Sequence, residues 1–213
     1  DAVHSGPYYI DTTPPGLPAS LSSPTHTPGE WSGNNVIQVS WEAAQDNLSG
    51  IGAYWYAWDN LTDTIPSTMS TTLRAVSSPP LPDGDNIWFH LRTMDRAGNW
   101  SEETLHLGPF MVNTTPPSAP TLLQSSHVED EWSNQTVITM TWEAPQDTGG
   151  GIAGYAVVWD QRSDTTPPPI ITTTETRATS PQLGHDTHNS FHLRAVDNQG
   201  NWSETVHRGP FHI

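Results

Sequence analysis

The sequence predicts an all-β protein made of two tandem antiparallel β-sandwiches joined by a Pro-rich linker. Two observations lead to this prediction: an internal repeat of about 100 residues, and apolar side chains that alternate along short segments between turns. The 213 residues include 20 Pro and 16 Gly, but also 10 Trp. Because chains that remain disordered lack large apolar side chains, the tryptophans indicate a folded aromatic core.

The internal repeat divides the chain into homologous parts. The repeated segments are HSGPYYIDTTPP, HLGPFMVNTTPP and HRGPFHI at residues 4–15, 106–117 and 207–213, and FHLRTMDRAGNWSE and FHLRAVDNQGNWSE at residues 89–102 and 191–204. We interpret residues 11–112 and 113–213 as two homologous repeats. Residues 1–10 match the last segment of a repeat, so we interpret them as the orphan closing strand of a preceding repeat.

Each repeat contains segments with the two-residue alternation of β-strands. No segment shows a helical period with caps, and about seven strands in ~100 residues are typical of an immunoglobulin-like sandwich. A Gly-Pro pair in the closing strand predicts a kink there. The positions predicted to face the core are Ile37, Val39, Trp41, Tyr54, Tyr56, Trp58, Ile87, Phe89, Leu91, Phe110 and Val112 in the first repeat, and Ile138, Met140, Trp142, Tyr155, Val157 and Trp159 in the second.

The order of these motifs resembles tandem bacterial fibronectin type III-like and Ig-like repeats of extracellular surface proteins. The resemblance is carried by a strand ending in Trp, an acidic loop with Gly-Ile, FHLRAVD, D-x-x-GNWS and GPF before TTPP. It implies a location outside the cell or on the bacterial cell surface. It also implies that the partners of this chain are neighbouring repeats or further copies of the same protein, arranged in a head-to-tail array or filament. Ile87 and Asn189 stand where such domains commonly have a tyrosine, so we do not expect a tyrosine corner.

Composition excludes several classes of partner and activity. The chain has 7 Lys+Arg, all arginine, against 23 Asp+Glu, for a net charge of -16. Because binding to a phosphate backbone needs clustered cations, nucleic acid is excluded as a partner. No apolar stretch approaches the ~20 residues of a membrane span, so membrane insertion is not expected. Cysteine is absent, and no motif of enzymatic chemistry is present, so we predict a non-catalytic protein.

Two tryptophans of the first repeat have no counterpart in the second. The other eight pair between the repeats, and we expect them to serve the core and the packing of loops. Trp55 and Trp88 fall on the outward phase of their strands, beside His90 and Arg92. They are therefore candidates for an exposed patch that contacts a glycan or a protein. The alternative is that they lie against a neighbouring domain or only cover the sheet.

Carboxylate and amide side chains gather at the predicted linker end of each repeat. Such oxygens are suited to Ca²⁺, which takes six to eight of them, so we consider an interdomain calcium site. The alternative is that they cap turns. Two recurring histidine pairs are expected to be outward cross-strand pairs and not zinc ligands. The calcium candidates are Asp11, Asp46, Asp95 and Asn99 in the first repeat, and Asn113, Asp147, Asp197 and Asn201 in the second.

The sequence is compatible with two functions. The first is a non-catalytic structural repeat of an extracellular filament, stalk or adhesin shaft, in which Tyr8 and Ile10 pair with the sheet of a neighbouring unit. The second is a carbohydrate-binding accessory module of a secreted protein, acting through exposed Trp of the first repeat. Threonines next to prolines are also candidate O-glycan acceptors: Thr12, Thr13, Thr114 and Thr115.

Overall fold

Short apolar segments separated by turns form β-strands in both halves of the chain. The computed structural model describes residues 5–185 and 188–213. These residues contain no helix, and therefore none long and apolar enough to cross a membrane. The all-β prediction is confirmed. The chain divides between Val112 and Asn113 into two compact parts, called unit 1 and unit 2 below.

Unit 1 consists of two sheets packed around one core. Its strands are β1 (Leu21–Ser22), β2 (Trp31–Ser32), β3 (Gln38–Trp41), β4 (Ile51–Asp59), β5 (Met69–Thr71), β6 (Ala75–Ser77), β7 (Gly84–Asp95) and β8 (Leu105–Val112). One sheet has the order β1–β3–β6, and the other has the order β2–β8–β7–β4–β5. Neighbouring strands are antiparallel, apart from the short parallel pair β2 and β8.

Unit 2 repeats this arrangement with shorter edges. Its strands are β9 (Thr121–Ser125), β10 (Thr139–Glu143), β11 (Ile152–Asp160), β12 (Arg177–Thr179), β13 (Asn189–Asp197) and β14 (Val206–Phe211). One sheet has the order β12–β10–β9 and the other has the order β11–β13–β14, with all neighbours antiparallel. At the place of the β2–β8 pair, Trp132 forms a single parallel bridge with His212.

The positions predicted to face the interior form the core of each unit. Successive side chains of a strand point to opposite faces, so each strand contributes every second residue. Trp58 and Trp159 lie at the margin of the core and are half-buried, although their rings pack 4.7 and 4.8 Å from Phe89 and Phe191. The core positions without exposed surface include Ile37, Val39, Phe89, Leu91, Phe110 and Val112 in unit 1, and Ile138, Met140, Phe191, Leu193 and Phe211 in unit 2.

The closing strand of each unit needs glycine at one position. A Cβ on Gly108, whose φ is +155°, would lie 2.7 Å from the carbonyl oxygen of Ile87. A Cβ on Gly209 would lie equally close to the carbonyl oxygen of Asn189. The predicted kink at Gly108 coincides with a shift in register between β7 and β8. The strand therefore changes register there while it remains paired in the sheet.

Residues 5–10 resemble a closing strand in sequence but belong to no strand of the described chain. Tyr8 and Ile10 are 78% and 83% exposed, whereas the matching Phe110 and Val112 have no exposed surface. Residues 1–4 of the predicted orphan strand lie outside the described residues. The pairing of Tyr8 and Ile10 with a neighbouring unit stays a prediction.

Two tryptophans of unit 2 provide a test of the core. Trp142 is 5% exposed and Trp132 is 73% exposed. Trp142→Ala should lower the free energy of unfolding of unit 2 by ~3–5 kcal/mol because it leaves a cavity. Trp132→Ala should change that free energy by less than about 0.5 kcal/mol. Urea denaturation followed by circular dichroism measures both, and equal losses would contradict the two exposures.

Candidate functional site

Three carboxylates converge in unit 1. Asp11 precedes the first strand, Asp46 lies in the loop between β3 and β4, and Asp95 ends β7. One oxygen of each lies within 4.8 Å of an oxygen of the other two. Three of the four calcium candidates of unit 1 are thus brought together. The loop between β3 and β4 and the turn after β7 both contact Asp11, since Ser49 N donates to Asp11 Oδ2 at 3.0 Å and Asn99 Nδ2 donates to Asp11 O at 3.1 Å.

Backbone amides orient the three carboxylates of this cluster. Asp46 Oδ2 accepts hydrogen bonds from the amides of Leu48 and Gly50 at 3.1 and 2.6 Å. The side-chain amide of Asn99 donates to Asp95 Oδ2 at 2.8 Å. Hydrogen bonds from Ser49 and from the amide of Thr13 lower the pKa of Asp11. These contacts are the turn caps of the alternative interpretation, and they also hold three negative charges close together.

Unit 2 has an amide where unit 1 has the third carboxylate. Asn113 takes the place of Asp11, and its Nδ2 donates to the carbonyl of Gly149 at 2.6 Å and to Asp197 Oδ2 at 3.0 Å. Asn201 Nδ2 also donates to Asp197 Oδ2, at 2.8 Å, and to Asn113 O, at 3.1 Å. Asp147 Oδ2 accepts from the amide of Gly151 at 2.8 Å. The predicted residues meet in both units, but with different charge.

An Asp–His–His hydrogen-bond chain with a buried central histidine crosses three strands of unit 1. His90 has no exposed surface. Its Nδ1 lies 2.6 Å from His106 Nδ1, so that one ring donates and the other accepts, and its Nε2 lies 3.1 Å from Asp59 Oδ1. The expectation that His90 belongs to an exposed contact patch is wrong, because β4 and β8 cover it from both sides.

Unit 2 contains an equivalent Asp–His–His hydrogen-bond chain with nearly identical distances. His192 lies 2.6 Å from His207 and 3.0 Å from Asp160. The pairing of the histidines across strands was predicted from the sequence, but the two aspartates were not. The signal was present, since Trp-Asp recurs at residues 58–59 and 159–160.

The protonation of these groups is shifted by their surroundings. Desolvation lowers the pKa of His106 and the charge of His90 lowers it further, against the opposing effect of Asp63 and Asp59. Desolvation raises the pKa of Asp59, but hydrogen bonds from Thr64 and Leu61 outweigh it, so that this pKa is lowered overall. At the two ends of this Asp–His–His chain, Asp59 is therefore favoured in its ionised form and His106 in its unprotonated form.

The predicted patch of Trp55, Trp88 and Arg92 is largely covered. The ring of Trp100 lies 5.2 Å from Trp55, and the Arg92 guanidinium lies 4.9 Å above that same Trp100 ring. Trp88 Nε1 donates to Asn86 Oδ1 at 2.8 Å. Trp55 and Trp88 are half-buried, so they do not form the exposed pair that their outward phase predicts. The alternative, that they lie against a neighbouring domain or only cover the sheet, stays a prediction. The turn after β7 carries Trp100 across the outer face of the sheet.

The most exposed tryptophan of the described residues is Trp132, at 73%. The repeat assigned it to loop packing, together with its counterpart Trp31, which is half-buried. The strand residue beside it has changed, because Trp31 pairs with Met111 whereas Trp132 pairs with His212. The rings of Trp132 and His212 lie 5.1 Å apart at 31°. Nothing in the Trp pattern predicted this exposure.

The candidate O-glycan acceptors lie on the surface. Thr12 and Thr13 are exposed in unit 1, and Thr114 and Thr115 are exposed in unit 2. Their glycosylation stays a prediction.

Unit 2 matches a known family of protein domains. Residues 118–208 match the family described as "Fibronectin type III domain". Unit 2 is a fibronectin type III domain. The predicted resemblance is thereby confirmed, and unit 1 repeats the same motifs. The fold of the chain is similar to that of titin domains A168–A170, with a TM-score of 0.54 at 18% identity over 92% of this chain and 67% of that one.

Most of the chain is also similar to parts of longer proteins. The chain is 30% identical over 199 residues to exoglucanase B of Cellulomonas fimi, and 30% identical over 202 residues to chitinase A1 of Niallia circulans. Each alignment covers 91% of this chain, but only 16% of exoglucanase B and 25% of chitinase A1. The chain thus spans a quarter or less of these relatives.

The Asp59–His90–His106 chain of unit 1 predicts how stability depends on pH. Because the pKa of His106 is lower in the folded state than its ordinary 6.5, the unfolded state binds more protons, and the free energy of unfolding should fall as the pH drops below about 6.5. Lowering the pH also relieves repulsion in a chain of charge -16, so a variant is needed as reference. Urea denaturation at pH 7.5 and 5.5 should show a smaller acid loss for His106→Gln than for the wild type. An identical loss in both would contradict the assignment.

Proposed function

We propose that this chain is a non-catalytic spacer segment of a larger extracellular bacterial protein that degrades polysaccharides. The observation that carries the proposal is the alignment of 91% of the chain with exoglucanase B and with chitinase A1. Their names give different substrates, glucan and chitin. A segment that both share does not determine the substrate, so its role is common to both and separate from their catalysis.

The physical properties of the two units suit a spacer. Each unit has its own aromatic core, so it resists deformation without a ligand. The Thr-Thr-Pro-Pro segments at residues 12–15 and 114–117 favour extended polyproline geometry, which restricts the chain between folded units. A net charge of -16 disfavours self-association.

The filament, stalk or adhesin shaft remains the alternative for this chain. It is favoured by the exposed Tyr8 and Ile10, whose matching residues are buried in closing strands. Both hypotheses place the chain outside the cell, and they differ in what the rest of the polypeptide does.

The native polypeptide distinguishes the two hypotheses. An antibody against this chain should detect a protein four to six times its length, by comparison with the 25% and 16% coverage of the relatives. The protein should be found in the culture supernatant and should migrate with glucan- or chitin-hydrolysing activity in a zymogram. A band in the cell-surface fraction without such activity would contradict the spacer proposal and favour the shaft.

Calcium binding to unit 1 is a second proposal, supported by the convergence of Asp11, Asp46 and Asp95. Three carboxylates within 4.8 Å repel one another, and a divalent cation that accepts oxygen ligands would remove this repulsion. In unit 2, the Asn113 amide donates hydrogen bonds at the equivalent place. We therefore propose the site for unit 1 rather than for both units.

Exchange of the two equivalent residues tests the calcium proposal. Saturating Ca²⁺ at 100 times its dissociation constant should stabilise unit 1 by about 2.7 kcal/mol and raise its melting temperature. Asp11→Asn, which copies unit 2, should remove the response, whereas Asn113→Asp should give unit 2 a response of its own. Differential scanning calorimetry with Ca²⁺ and with EGTA measures all three proteins. A wild-type transition that is the same in both solutions would overturn the proposal.

A further inference from the structure

A rigid, exposed tryptophan distinguishes the surface of unit 2. The amide of Asp130 donates to the carbonyl of Pro210 at 3.0 Å, and the amide of Ser133 donates to the carbonyl of His212 at 3.0 Å. These bonds fix the backbone on both sides of Trp132, whose side chain is nevertheless 73% exposed. The loop therefore presents a large aromatic ring to solvent from a hydrogen-bonded backbone.

The exposed ring of Trp132 begins a short row of aromatic side chains. His212 lies against Trp132, at 5.1 Å between ring centroids and 31° between planes. His188 follows at 5.7 Å from His212, edge to face at 70°. One face of Trp132 thus rests on His212, and the row leads from the exposed indole to His188.

His188 is also part of the wall of a cavity of about 390 Å³. This volume lies within the range of small-ligand sites. The wall carries hydrogen-bonding groups of both kinds, with donors from arginine and amide groups and acceptors from hydroxyl and amide oxygens. Besides His188, the polar residues that line the cavity are Gln161, Ser163, Ser190, His207 and Arg208.

A single difference between the units explains why this cavity is open. Ser190 pairs with Asp160 where Trp88 pairs with Asp59 in unit 1. In unit 1 the Trp88 ring covers Gly108, with its Cδ2 only 2.9 Å from where a Cβ of that glycine would be. In unit 2 the small Ser190 stands over Gly209, which lines the cavity. The indole that covers this place in unit 1 is missing from unit 2.

We propose that this surface, consisting of Trp132, His212, His188 and the adjoining cavity, binds a chain of neutral sugar rings. A sugar ring has an apolar face that packs on an indole and a rim of hydroxyl groups that need donors and acceptors. The net charge of -16 opposes an anionic ligand. A docked protein would be expected to bury a contiguous apolar patch, whereas the cavity wall interleaves apolar surface with the polar groups of six side chains. The choice of glucan and chitin as test ligands rests on the proposed function.

The test measures retention of the whole chain on insoluble glucan and chitin, and calorimetric titration with soluble oligosaccharides of each. The wild type should bind at least one of them. Trp132→Ala should weaken binding about tenfold or more, an effect that corresponds to about 1.4 kcal/mol. Trp31→Ala, the matched loss in unit 1, should leave binding unchanged. Ser190→Trp, which restores the side chain of unit 1, should also weaken binding, with circular dichroism showing that the fold is kept.

Three results would overturn the inference. The first is that the wild type binds neither polysaccharide, and the second is that Trp132→Ala leaves binding unchanged. The third is a concentration-dependent dimer that Trp132→Ala abolishes, because this result would assign the surface to a second copy of the chain. The spacer role survives each of these results, because a spacer needs no contact with glycan. Conversely, a native polypeptide without hydrolase activity would remove the spacer proposal without affecting binding by Trp132.

Discussion

Packing of aromatic rings around Phe89 in unit 1, and around Phe191 in unit 2, holds the two sheets of each unit together. Trp41 from one sheet and Trp58 from the other lie 6.0 and 4.7 Å from Phe89. Once these rings occupy the interior, the two-residue period of a strand sends every other side chain outward. The core therefore determines which residues are available for the outer faces, including the histidines, Trp88 and Ser190.

On the outer face, the Asp–His–His chains add a second constraint that the aromatic core does not provide. His90 has no exposed surface and hydrogen-bonds on one side to Asp59 and on the other to His106. A buried polar group without partners is costly, so a register that separated these three side chains would be disfavoured. These hydrogen bonds thus favour the same alignment of β4, β7 and β8 that burial of the apolar face requires. Its presence in both units, with nearly the same distances, agrees with a structural role.

The sequence was sufficient for the fold and for the grouping of the carboxylates, but not for exposure on the outer faces. Alternation is a local property, and it correctly assigned Ile37 and Phe110 to the core. Whether an outward residue is covered depends on distant parts of the chain. Trp55 is covered because the turn after β7 brings Trp100 to it at 5.2 Å, and His90 is buried because two neighbouring strands enclose it. Trp132 is exposed although its counterpart in the repeat is half-buried, so internal symmetry gave the wrong answer there.

The differences between the units show where this duplicated fold was free to change. Most core positions stay apolar, since a cavity or an excess of volume in the interior is destabilising. An exception is buried Ile87, which is matched in unit 2 by buried Asn189, whose Nδ2 donates to the carbonyl of Phe211 at 3.2 Å. Asp11 and Asn113, or Trp88 and Ser190, differ in charge or volume at places where no core contact is lost. The first exchange leaves three carboxylates in unit 1 where unit 2 has the amide of Asn113, which is only 1% exposed. The second leaves an open cavity in unit 2 where unit 1 has an indole. Two copies of one fold can therefore carry two different surfaces, and binding in one unit does not require the same residues in the other.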